Sequence, residues 1–237
     1  MSELASGTNY DICRLMGLKF AYDIAMEPVN VKYGAESRNH GGKLSNFTQK
    51  MQDSGVDIDN AEQIIAYCET VLKERSINPA ERVRLAQAGW DRIEIEVETI
   101  LKRLFETDRG IENITAYLSV NDRFGYNPQK GFFFTTIYDD NVNKICVHEL
   151  LHFYTYRETL NIFKDSGVTN LFNDYKEALT VLLNLEFKNV LSGEDKGHLR
   201  QQGLREYIKT TWQSGDTVPE YTKRQINKPE FLAAFPQ

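Results

Sequence analysis

The stretch Ile145-Cys146-Val147-His148-Glu149-Leu150-Leu151-His152-Phe153 decides how this chain is read. Apart from one acid and two histidines it is uncharged and mostly apolar, the composition of a buried helix. The histidines are four residues apart, so on an α-helix they stand about 40° from each other on one face. Two imidazoles one turn apart can direct a nitrogen at the same ion from about 2 Å. Glu149, displaced around the helix by about 100°, does not easily join them as a ligand, but it can reach a water at that ion and take its proton. Burying such groups unpaired is costly, so the spacing points to a metal-dependent hydrolytic site.

Working outward, Asp139-Asp140 can cap a helix over about 141–163, with Gly167 closing it. A second helix is expected over about 170–191, stopping near Gly193, and a third over about 196–213, ending before Gly215. The tail from 216, with Pro219, Pro229 and Pro236, reads as surface chain. Upstream, Ile114–Val120 is short and rich in β-formers, and Phe132–Tyr138 follows the turn Asn127-Pro128-Gln129-Lys130-Gly131, so two strands are expected. The run Phe132-Phe133-Phe134 suits core packing or a hydrophobic wall beside a site.

The first hundred residues are helical where they carry signals. Asp59 and Glu62 have capping-box spacing ahead of Ile64, Ile65, Cys68, Val71 and Leu72, predicting a helix over about 60–75. Asn78-Pro79-Ala80-Glu81 opens a long amphipathic helix running to about 106, although Ile93-Glu94-Ile95-Glu96-Val97 also alternates as a strand would. Residues 1–57 carry no decisive pattern, and Tyr33–Gly42, which contains His40, reads as a turn-rich loop.

The bulk numbers narrow the function classes. A net charge of −6 with scattered basic residues argues against nucleic acid as a partner. Three cysteines, Cys13, Cys68 and Cys146, form no CxxC pair and read as reduced, buried thiols. No apolar run approaches the length of a membrane span, and Met1-Ser2-Glu3-Leu4-Ala5 does not open a signal peptide. The expectation is a cytoplasmic globular protein.

The motif His148-Glu149-Leu150-Leu151-His152 resembles that of the zincin metallopeptidases, and the surrounding 131–190 window is most similar to the gluzincin branch. The resemblance implies Zn2+ as cofactor, His148 and His152 as ligands and Glu149 as general base. It carries the third ligand onto Glu177, on the next expected helix 25 residues past His152. It also implies that Phe132–Tyr138 borders the cleft and pairs with an extended peptide or protein substrate. Thermolysin-like members carry an acid four residues after the third ligand, supporting the first histidine; here that position is Val181, so support must come from elsewhere. Rival third ligands are Glu158, Asp174 and Glu186. Glu158 has metzincin spacing, but that branch needs a glycine where Thr155 stands, and on an unbroken helix Glu158 points away from the histidines. His198, Tyr207 and Tyr175 are the positions from which an oxyanion could be stabilised.

The fold class expected is α+β, a mostly helical zincin-like fold with a small sheet next to the histidine helix. Its parts are an N-terminal helical region over 1–110 and the zincin-like region over 111–237, forming one continuous unit with a soft boundary near 110. The function expected is a zinc metallopeptidase. The alternatives are an inactive zincin-like protein that binds a partner, and a helical interaction protein in which the motif is accidental.

Overall fold

The computed structural model describes residues 17–36, 44–110, 113–122, 125–139 and 141–236. Cys13 and His40 lie outside the described residues, as does the part of the expected loop beyond Glu36, whereas Tyr33 to Glu36 are helical. The fold is α+β, mostly helical, with one small mixed sheet. It forms two compact units that interleave along the chain: Met1–Arg92 with Ile111–Val142, and Ile93–Gly110 with Asn143–Gln237. Among the described residues no helix is long and apolar enough to cross a membrane.

The first unit holds β1 (Lys19–Ala21), α1 (Glu27–Glu36), α2 (Asn46–Asp53), α3 (Ala61–Glu74), α4 (Pro79–Trp90), β2 (Thr115–Ser119), β3 (Tyr126–Asn127) and β4 (Phe132–Thr136). The strand order is β1-β2-β4-β3. β2 runs parallel to both β1 and β4, with Thr115 opposite Lys19 and Phe132, and β3 closes the edge antiparallel to β4. Gly131 makes the return possible: its φ of +68° is left-handed, and a Cβ there would lie 2.7 Å from the Asn113 carbonyl oxygen. Phe133 and Phe134 are fully buried, and Phe132 packs against Tyr33 and Tyr117, so the aromatic run is core packing. The short edge strand β1 is tied to α4 by one side chain. Gln87 accepts from the Phe20 amide at 3.0 Å and donates to the Leu18 carbonyl at 3.2 Å.

The second unit holds α5 (Glu94–Phe105), α6 (Asn143–Asp165), α7 (Phe172–Leu179), α8 (Leu182–Glu186), α9 (Gln202–Thr211), α10 (Val218–Gln225) and α11 (Pro229–Ala233). α6 is the central helix; α5, α7 and α10 pack on it. Cys146, Val147, Leu150, Leu151, Tyr154 and Phe163 on α6 are all buried, and Phe105, Tyr175, Tyr221 and Phe231 are buried residues of the helices in the same unit.

Several boundaries differ from the sequence reading, each for a local reason. The cap of α3 is Asn60, not Asp59: its side chain accepts from the Glu62 and Gln63 amides. The expected helix to 106 is two helices. Trp90 is fully buried at the end of α4, Arg92 Nε donates to the Ala88 carbonyl, and residues 91–93 form a turn before α5 begins at Glu94. The alternating segment Ile93–Val97 is indeed the start of a helix, not a strand. Asp139 accepts from the Asn141 amide, a turn that precedes α6. Likewise 170–191 is broken after Leu179, where the Thr180 hydroxyl lies 2.8 Å from the Glu177 carbonyl and accepts from Arg205. The third expected helix starts only at Gln202, after the 3-10 turn Leu199–Gln201. The tail is not surface chain: Thr217 caps α10 by accepting from the Glu220 amide, Pro219 sits in its first turn, and Tyr221 and Phe231 enter the core.

A buried polar network holds the end of β2. The Glu27 carboxylate accepts from Ser119 Oγ at 2.7 Å and from the Val120 amide at 2.9 Å, while Ser119 Oγ accepts from Asn30 and the Asn121 amide. Burial nevertheless pushes the Glu27 carboxyl up from 4.5 to about 7, the two hydrogen bonds opposing it. The native state therefore keeps a proton that the unfolded chain releases near 4.5, so stability is lost as pH rises from there through about 7. The loss is on the order of 3 kcal/mol. Urea unfolding at about pH 5 and about pH 8 should show this fall in the natural chain, and Glu27→Gln should reduce it by roughly 2 kcal/mol whatever its constant effect on stability.

Candidate metal centre

The site lies within the second unit. On α6, His148 and His152 stand one turn apart, with ring centroids 4.6 Å apart and planes at 78°. The helix is buried around this turn, which leaves His152 3% exposed and Glu149 7% exposed. α7 brings up Glu177, whose Oε2 stands 3.4 Å from His152 Nε2. One ligand atom from each of His148, His152 and Glu177 can be chosen so that all lie within 4.8 Å of one another. Donors on a tetrahedral zinc at about 2.1 Å stand about 3.4 Å apart, so the His152–Glu177 spacing fits a shared ion.

The positions around this cluster explain how it is held. Asp195 Oδ1 stands 3.6 Å from His148 Nδ1. A carboxylate on that side of the ring favours a proton on Nδ1, so Nε2 is the nitrogen that could serve a metal. Asp195 is itself locked. Arg205, 4% exposed, donates to the Asp195 carbonyl at 2.7 Å and pairs with its Oδ2 at 2.9 Å; Thr180 lies 3.1 Å from the same oxygen. Asn184 bridges the Asp195 backbone in both directions, at 2.8 and 2.7 Å. Gly197, at φ +58°, lets the loop pass over the guanidinium, since a Cβ there would lie 2.5 Å from Arg205 Cζ. The support that a helix acid at position 181 would provide thus comes from a loop.

Burial and charge set the protonation of each group. Glu149 is pushed up to about 7 by burial, against the pull of His148 and Lys176, and its Oε2 has no hydrogen-bond partner. His152 is pushed down to about 3 by burial and by Lys176, which leaves it neutral at pH 7. Burial works to raise Glu177, but His152 and Lys176 hold its carboxyl well below the usual range. With the imidazole neutral, the balancing cation is Lys176, whose Nζ donates to Glu177 Oε1 at 2.8 Å. His148 is raised: burial opposes its cation, but the neighbouring carboxylates of Asp195, Glu149 and Glu177 outweigh that. Asp195 is lowered, since His148 and Arg205 outweigh burial.

The structure brings together four of the residues singled out in the sequence, His148, Glu149, His152 and Glu177. The rivals for the third position are engaged elsewhere. Glu158 pairs with Arg157, Asp174 binds Arg200 and Gln201, and Glu186 accepts from Trp212 Nε1 at 2.7 Å. Of the three residues considered for stabilising an oxyanion, His198 is at the cluster, 71% exposed with Nε2 3.7 Å from Glu177 Oε2. Tyr207 donates to Gln225, and Tyr175 is fully buried against Thr222, so both are packing residues. Asp195 and Arg205 carried no sequence signal, since each acts through a contact that spacing along the chain does not encode; Lys176 is adjacent to Glu177 in the chain, and its burial is what the sequence did not show.

Compared with known proteins, the chain matches no family model, no curated protein and no solved structure. The Arg205 lock makes a direct prediction. Removing one partner of a buried ion pair strands the other, so Arg205→Ala should lower the unfolding free energy by about 3 kcal/mol in urea titrations, whereas Lys209→Ala, with its half-exposed side chain, should cost less than about 1 kcal/mol.

Proposed function

We propose that this chain is a zinc-dependent hydrolase, a metallopeptidase of gluzincin type cleaving peptide bonds. The observation that carries the reading is the convergence of His148, His152 and Glu177 ligand atoms within 4.8 Å, with the buried acid Glu149 on the same α6 turn as the two histidines. Two imidazoles and one carboxylate are the donor set of a catalytic rather than a structural zinc, which keeps a position open.

His148, His152 and Glu177 would hold the ion. A zinc ion bound there supplies Lewis acidity toward a peptide carbonyl and toward water. Glu149 is the chain's own base: its Oε2 has no hydrogen-bond partner in the structure, so it can accept a proton from the attacking water and return it to the leaving amine nitrogen. Asp195 keeps the His148 ring oriented, and His198, exposed at the edge of the cluster, is the side chain from which a hydrogen bond to the developing oxyanion can be offered.

The test separates binding from turnover. Purified natural chain should contain about one zinc per molecule and cleave members of a quenched fluorescent peptide library. His148→Ala should lose the zinc and the activity together. Glu149→Gln should keep the zinc and lose activity by a factor of about 100 or more. Zinc binding with no cleavage by either form would favour the inactive, partner-binding alternative, and no zinc uptake at all would leave the motif accidental.

A further inference from the structure

The Glu177 carboxylate is held unsymmetrically. Its Oε1 accepts from Lys176 Nζ at 2.8 Å, whereas Oε2 faces His152 Nε2 at 3.4 Å and His198 Nε2 at 3.7 Å. Lys176 precedes Glu177 directly on α7, and its side chain is only 5% exposed. Adjacent residues on a helix do not face each other, so this is not the common surface pairing one turn apart. Nor is a buried lysine needed merely to solvate the acid, because the Glu177 side chain keeps 25% exposure. Placing an ammonium in the interior is costly, and here it occupies one particular oxygen.

We propose that Lys176 is a positioning residue that reserves Glu177 Oε1, so that Glu177 meets the metal through Oε2 alone. The inference rests on the metal-site reading above and adds to it how the carboxylate binds. A glutamate donating both oxygens would fill a coordination position that a hydrolytic site must keep for water or substrate. The arrangement also places a positive charge near the ion, which weakens binding in exchange for the open position. Lys176 thus makes the site looser and more open than its three ligands alone would.

That combination separates the proposal from a purely structural role. Cobalt(II), titrated into metal-free protein and followed by its visible absorption, reads affinity and coordination together, because low-coordinate cobalt absorbs far more strongly. The natural chain should give intense bands. Lys176→Met should bind cobalt about tenfold more tightly yet give bands several-fold weaker per bound ion. Lys176→Arg, which keeps the charge and the donor, should resemble the natural chain. Unchanged band intensity with unchanged or weaker affinity in folded Lys176→Met would overturn the proposal. If Lys176→Met does not fold by circular dichroism, X-ray absorption of the zinc-loaded natural chain decides instead. About four nitrogen or oxygen neighbours at one distance support a single Glu177 oxygen, and an added longer oxygen shell overturns it. Failure of the natural chain to take up cobalt would instead remove the metal reading itself.

Discussion

The second unit is organised by one constraint: α6 is buried along the turn that carries His148, Glu149 and His152. A helix satisfies its own backbone but not its side chains, and polar groups inside a protein must find partners from elsewhere. Glu177 arrives from α7, Asp195 from the loop after α8, and Arg205 from α9 to hold that loop. The breaks in helical structure follow from the same demand. α7 ends where the Thr180 hydroxyl is drawn into the Asp195–Arg205 cluster, and the chain passes over the guanidinium at Gly197 because no side chain fits there.

The electrostatics of the cluster point the same way. Three carboxylates, Glu149, Glu177 and Asp195, gather around neutral His152 and are met by two buried cations, Lys176 and Arg205. Lys176 pairs with Glu177 and Arg205 with Asp195. Glu149 is left without such a partner, and burial raises its carboxyl to about 7. Two imidazoles, one of them neutral at pH 7, and the Glu177 carboxylate are a donor set that could hold a divalent cation, and the proposed function assigns Glu149 as the base beside it.

Much of this was legible in the sequence because it is written in local spacing. The i, i+4 histidines, the Asn78-Pro79-Ala80-Glu81 helix start and the β-formers of β2 and β4 each depend on residues within a few positions of one another. The proximity of Glu177 to the histidines followed from a family resemblance rather than from spacing. What escaped has the opposite character. The division between α4 and α5 is invisible to an apolar series that continues at helical intervals across it while its two halves enter different cores. β1 is only three residues long, too short to alternate, and depends on Gln87 some seventy positions away. α10 and α11 are opened by Thr217 and Pro229, a grammar like that of Asn78-Pro79, but the prolines of the tail read more readily as loop. Asp195 and Arg205 meet through the loop after α8, and no pattern along the chain links an acid between two glycines to an arginine on the next long helix.

The central claim is that His148, His152 and Glu177 share one divalent ion. Its most direct test is crystallography of the zinc-soaked protein with anomalous data collected on both sides of the zinc edge. The account predicts a single strong peak about 2 Å from a nitrogen of each histidine and from Glu177 Oε2. A structure with no anomalous density among the three side chains at millimolar zinc would contradict it.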